Sequence, residues 1–142
     1  MKKFQIILLC GLMFVATSVN AQTYGPWNCG TQGNNVTASI IDGTLTISGT
    51  GAMADYNSVN TPWYNYRDNI LAVNITDNVT SIGSSAFQYC NNLVFVTVPK
   101  NLTAIGDYAF MGCWMLTSVS IPSGVTSIGI SAFAGCLSCN SI

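Results

Sequence analysis

The chain has 142 residues, enough for a single domain. It contains no His and no Glu, only four basic residues and five Asp, and just 6% of it is charged, far below the usual quarter of a soluble domain. These counts leave no Ser-His-Asp triad, no His-ligated metal, no basic footprint for nucleic acid and no convergent polar constellation for an enzyme.

The first element is an export signal. Lys2 and Lys3 make a positive end, Phe4 to Val15 is an apolar run broken only by Gln5 and Gly11, and Val19-Asn20-Ala21 fits a small-x-small cleavage rule. Residues 1–21 read as a secretory signal peptide cut between Ala21 and Gln22. The run falls short of the ~20 residues of a membrane span. Leu9 stands before Cys10, where a lipoprotein signal has a small residue. After cleavage two basic residues face five Asp, a net charge of −3. No later stretch is long and apolar enough to span a bilayer.

Residues 22–69 read as a β-rich cap. Val36 to Ile41 and Thr44 to Ser48 are joined by Asp42-Gly43, a dipeptide that favours a type I′ hairpin turn. Asp42 is therefore a turn residue rather than a catalyst. Trp27, Tyr56, Trp63, Tyr64 and Tyr66 cluster around Pro26 and Pro62. They offer either a sugar-stacking platform or a cover for the apolar end of the segment C-terminal to the cap. The second reading is favoured, because Trp63 and Tyr64 fall one 23-residue step before Ala86 and Phe87.

From residue 70 the chain repeats every 23 residues. Val79-Thr-Ser-Ile82-Gly83 returns as Leu102-Thr-Ala-Ile105-Gly106 and as Val125-Thr-Ser-Ile128-Gly129. Ala86-Phe87 returns as Ala109-Phe110 and Ala132-Phe133, Cys90 as Cys113 and Cys136, and Pro99 as Pro122. Val96-Thr97-Val98 and Val119-Ser120-Ile121 alternate as half-buried strands do, and each ends at a Pro. Phe87, Cys90 and Leu93 are spaced by three, which suits a short helical turn. Gly83, Gly106 and Gly129 take positive φ or admit close packing between coils. One unit cannot bury its Ile, Phe and Leu alone, but stacked neighbours can. Ile82, Ile105 and Ile128 are expected in one buried column, and Phe87, Phe110 and Phe133 in another.

The run Leu-x-x-Val-x-Val-Pro-x-x-Leu-x-x-Ile-Gly-x-x-Ala-Phe-x-x-Cys, from Leu93 to Cys113, resembles the BspA-type leucine-rich repeat of bacterial surface proteins. Asp42-Gly-Thr-Leu-Thr-Ile-Ser-Gly49-Thr-Gly51-Ala-Met53 and Pro62-Trp63-Tyr64 are similar to the region that precedes such repeats. The resemblance implies an α/β repeat: a curved right-handed leucine-rich-repeat solenoid with a parallel concave β-sheet and short helical turns, preceded by a small β-hairpin cap. It also implies a secreted or cell-surface location on a bacterium, and a non-catalytic role in adhesion or protein binding. The expected division is a signal over 1–21, the cap over 22–69 and repeats over 70–142. The last repeat is left open, as in a piece of a longer array or an edge that self-associates.

Two outward columns come from strand alternation: Ala72, Phe95, Ser118 and Asn74, Thr97, Ser120. They are the candidate partner-binding residues. A protein partner is expected first, a host matrix protein or another surface protein. A glycan-binding or structural envelope role is the alternative. No cofactor and no metal are expected. Cys29, Cys90, Cys113, Cys136 and Cys139 remain after cleavage, and the three on the repeat column read as buried thiols. Cys136-x-x-Cys139 alone is weak for zinc or redox chemistry. Asn35, Asn74, Asn78 and Asn101 open glycosylation sequons of a kind that bacteria usually leave unused.

Overall fold

The computed structural model describes residues 3–9, 12–18 and 21–142. Lys2 of the expected signal, and the Val19-Asn20 stretch before its cleavage point, lie outside the described residues. β1 (Lys3–Leu9) and β2 (Leu12–Ser18) pair only with each other, antiparallel.

The cap hairpin forms as its turn dipeptide dictates. β3 (Thr23–Gly30), β4 (Gly33–Ile41) and β5 (Thr44–Gly49) pair antiparallel, with Ile41 opposite Thr44. Asp42 and Gly43 both take positive φ, 48° and 79°, as a type I′ turn requires. Alternation along β4 and β5 buries Val36, Ala38, Ile40, Leu45 and Ile47. A short β6 (Gly51–Ala52) comes next.

The cap is not a separate sheet. β7 (Ala72–Ile75) pairs parallel with β5, and β9 (Phe95–Thr97) pairs parallel with β7, so one five-stranded sheet runs β3-β4-β5-β7-β9. Single bridges carry the parallel stacking on from Phe95 to Ser118 to Ser141. A second sheet, which the repeat pattern alone does not predict, is formed by β8 (Val79–Ile82), β10 (Ala104–Ile105) and β11 (Ser127–Ile128), with β6 at its edge. Its register, Ile82 to Ile105 to Ile128, is the 23-residue repeat laid out in space.

The expected short helical turns do not form. Among the described residues the helical element is one 3-10 segment, Tyr64–Asn69, in the cap rather than the repeat. The reason lies in where the N–H groups go. Between Gly83 and Leu93, alternate amides close local i→i−3 turns: Ala86 to Gly83, Gln88 to Ser85, Cys90 to Phe87. The intervening amides of Ser85, Phe87 and Tyr89 donate forward to the carbonyls of Asp107, Ala109 and Met111 in the next coil. A helix needs those donors for itself. Ser85 and Tyr89 also sit at positive φ, 53° and 60°, which no helix tolerates.

The core is a stack. Phe87, Phe110 and Phe133 lie ring on ring at 5.1 and 5.3 Å, and Trp63 continues the stack at 6.0 Å from Phe87. Trp63 is buried and donates its indole N–H to Ala86 O at 2.9 Å. Tyr64 is not on a core column: Trp63 takes the Phe position, and Tyr64 turns outward beneath Arg67. Trp27, Tyr56 and Tyr66 close the cap end around Trp63 and each other. The Ile column also needs correction, because Ile82 and Ile105 are buried while Ile128 is 51% exposed. No further coil covers Ile128 among the described residues.

Gly83, Gly106 and Gly129 do not take positive φ. They are needed for close approach: a Cβ on Gly106 would collide with the backbone of Gly83 and Ser84, and one on Gly129 with Gly106 and Asp107.

Candidate functional site

The outward rows of the larger sheet form as the alternation requires. Val73 and Ile75 are buried beneath them, and Val96 and Val98 pack against the same core. On the opposite side Ala72 pairs with Phe95, Asn74 with Thr97, and Phe95 bridges to Ser118. Asn74, Phe95, Thr97, Ser118 and Ser120 are exposed, while Ala72 is half-buried. Phe95, at 65% exposure, is the one large apolar group among these six.

The face extends further than the repeat columns predict. Thr44 pairs with Ala72 and Thr46 with Asn74 across the β5–β7 junction, and Ser39 and Ile41 oppose Thr46 and Thr44 on β4. One row therefore runs Ser39, Thr46, Asn74, Thr97. Its neighbour runs Ile41, Thr44, Ala72, Phe95, Ser118. None of these residues is charged. The alternation of β4 and β5 carries the signal, but a cap read as a unit of its own hides it. The face is suited to close, uncharged contact and carries no acid–base pair. Ala21 and Gln22 are exposed beside the Ile41 end of that row, with the Gln22 N–H donated to Asp42 Oδ1 at 3.1 Å.

Two carboxylates are committed to the backbone. Asp55 Oδ1 accepts from Ser84 N, and Asp107 Oδ1 from Ile130 N, both at 2.7 Å. These carboxylates border an open groove of about 480 Å³ along the smaller sheet, but each is occupied in tying one coil to the next. The five thiols among the described residues are free. Cys29, Cys90 and Cys113 are buried, and burial pushes the Cys29 and Cys90 thiols up to about 12. Cys113 Sγ donates to Phe87 O at 3.2 Å, and Cys136 Sγ to Phe110 O at 3.3 Å, so each is a small donor inside the stack. Cys136 and Cys139 are partly exposed. A separate recess of about 260 Å³ is lined by Tyr64, Arg67, Tyr89, Asn91 and Trp114. Sequence reasoning singles out only Tyr64 of these, and as a core residue.

A model of the BspA type leucine-rich repeat region matches residues 57–142, in six copies. The chain belongs to that family. It is similar to a solved leucine-rich repeat protein from Eubacterium ventriosum, with 32% identity and a TM-score of 0.66 over 82% of this chain. It spans 36% of the length of that protein. A leucine-rich repeat protein from Bacteroides ovatus is 22% identical, with a TM-score of 0.45, over 75% of this chain and 39% of its own. A leucine-rich cell surface protein from Faecalibacterium prausnitzii is 19% identical, with a TM-score of 0.43, over 87% of this chain and 55% of its own. Among curated proteins, none matches.

Proposed function

We propose that this BspA-type chain is an exported, non-catalytic protein-binding module of the bacterial cell surface or its surroundings. In this reading the repeats form a solenoid, and the outward face of the five-stranded sheet is the binding surface. What supports it is Phe95, exposed on β9 within a continuous face of uncharged, mostly short side chains. Exposed aromatics set among such residues are favoured interface anchors. Repeat arrays commonly bind through an extended sheet of this kind. The partner is a protein, with Ala72, Asn74, Phe95, Thr97, Ser118 and Ser120 as its contact residues, extended by Thr44 and Thr46 of the cap.

Export is inferred from Lys2, Lys3, the apolar run and Ala21. N-terminal sequencing of the exported protein should give Gln22 first, and Met1 retained would end that part of the proposal. The binding face is tested on a partner captured by pull-down. Phe95→Ala and Thr97→Arg should each weaken binding and leave the thermal transition in place. Unchanged affinity in both moves the site off this sheet.

A further inference from the structure

We infer that the recess between Tyr64, Arg67, Tyr89, Asn91 and Trp114 is a binding site for an acidic sugar residue, a pyranose bearing a carboxylate. It lies apart from the sheet rows and goes beyond the protein-binding reading.

A left-handed column of the repeat sets the place. One column of the repeat requires left-handed φ, and Gly112 and Gly135 meet it with φ of 75° and 76°. The equivalent residue one coil earlier is Tyr89, held at φ 60°. A side chain costs about 1–2 kcal/mol more than Gly in that conformation. Ser85, Tyr108 and Ser131 share a second left-handed column, at φ of 53°, 56° and 52°, so this conformation belongs to the repeat itself. At Tyr89 it places an aromatic ring where the repeat otherwise puts a hydrogen. The Tyr89 ring lies directly over Gly112, and a Cβ at Gly112 would meet its edge. Gly112 thus leaves room for the edge of the ring, which is 39% exposed beside a Trp114 that is 53% exposed.

The lining decides the ligand class. Tyr64, Tyr89 and Trp114 present π-surface from three successive levels of the stack. Arg67 is the only Arg in the chain, and its guanidinium carbon lies 4.1 Å from the Tyr64 ring centroid. Tyr64 holds the guanidinium, with the Asp68 charge nearby, and its remaining N–H groups are donors for a carboxylate. A fixed cation argues against a cationic ligand. Asn91 borders the recess, and its enclosed Oδ1 lies out of a ligand's reach. A carboxylate for Arg67 and a flat C–H face for the three rings together describe an acidic pyranose. At about 260 Å³ the recess lies just below the ~300 Å³ where drug-sized pockets begin, and it suits one sugar ring.

The test titrates the whole chain with glucuronate, glucose, acetate and a short peptide ending in a free carboxylate, with the Trp114 indole resonance as the readout. Glucuronate should saturate with a Kd on the order of 1 mM. Glucose and acetate should each bind at least ~10-fold more weakly. Arg67→Gln should abolish the preference for glucuronate over glucose. Tyr89→Gly removes the ring while satisfying the backbone, so it should weaken glucuronate at least ~10-fold without lowering the Tm by more than a few degrees. Phe95→Ala should leave glucuronate binding unchanged, which separates this site from the sheet face. Equal affinity for glucose and glucuronate, tighter binding of the peptide, an unaffected Arg67→Gln or no saturable shift would each overturn the inference.

Discussion

The second and last coils carry nearly the same letters and have different fates. Ile105 is 2% exposed and its equivalent Ile128 is 51% exposed. Phe110 is fully enclosed between two rings, whereas Phe133 has a ring on one side only and is half-buried. Burial in a repeat array therefore belongs to the interface between coils rather than to the residue type. Each coil has a face toward its predecessor and a face toward its successor, and substitutions can tell the two faces apart.

The largest contrast is in the ring stack. Phe110→Ala should cost about 3–5 kcal/mol, since it opens a cavity between Phe87 and Phe133 that neither neighbour can fill. Phe133→Ala removes a ring already open on one side, so water fills part of the space, and about 1–2 kcal/mol is expected. Denaturant titration of the two variants reads the difference directly. Equal costs would mean that the last coil is covered in solution.

The glycines should behave differently, because their tight contacts all point backward. A methyl on Gly106 meets the backbone of Gly83 and Ser84, and one on Gly129 meets Gly106 and Asp107. Backbone cannot swing aside, so each Gly→Ala change should cost about 1–3 kcal/mol. The cost should be similar for Gly106 and Gly129, although one lies in an enclosed coil and the other in an open one. Gly124 has nothing nearer than Leu102 O at 3.4 Å, and Gly124→Ala should stay within about 0.5 kcal/mol. Thermal melts of the three variants check the pattern. A cheap Gly129→Ala beside a costly Gly106→Ala would show that the last coil sits loosely on its neighbour.

Some of these features are legible in the sequence and some are not. The 23-residue step locates the stacked Phe and Cys columns, and Asp42-Gly43 locates the hairpin, because single side chains dictate those features. The turn segments deceive, since Phe87, Cys90 and Leu93 at intervals of three match a helix and a series of i→i−3 turns equally well. What decides between them is the donation of Phe87 N to Ala109 O, a contact with the next coil that local spacing does not encode. The aromatic cap misleads by one residue. Trp63 and Tyr64 are adjacent, and the 23-residue step sets Tyr64 on the Phe column. Packing gives that place to Trp63, whose indole N–H also reaches Ala86 O. The candidate face is legible within the repeats, and its continuation through Thr44 and Thr46 is hidden by a boundary between cap and repeats that the sheet does not respect.

Alkaline pH acts on the enclosed part of the stack. Burial raises the Cys29 and Cys90 thiols from about 9.0 to about 12. A thiol raised in the folded state stays protonated there, while the unfolded chain releases its proton above about pH 9. Stability is therefore full below pH 9 and falls as pH rises toward 12, by about 1.4 kcal/mol per pH unit for each such thiol. Cys90→Ala should lessen that fall by one thiol's share, about 1.4 kcal/mol per pH unit between pH 9 and pH 11, read by urea midpoints at each pH. A fall of undiminished slope would locate the alkaline sensitivity elsewhere.

The smallest expected effect is the most telling about the open face. Ile128→Thr changes an exposed residue of the last coil, and at low protein concentration its cost should stay within about 0.5 kcal/mol. Ile130, Leu137 and Ile142 are exposed in the same coil, at 68%, 80% and 60%. If two chains associate through it, Ile128 becomes buried only in the complex. The cost of Ile128→Thr then grows with protein concentration, because association stabilises the original chain by mass action and the variant less so. Thermal melts at two concentrations about a hundredfold apart decide between these outcomes. A cost that grows by ~1 kcal/mol or more assigns the last coil to self-association. A constant cost near zero leaves it a free surface.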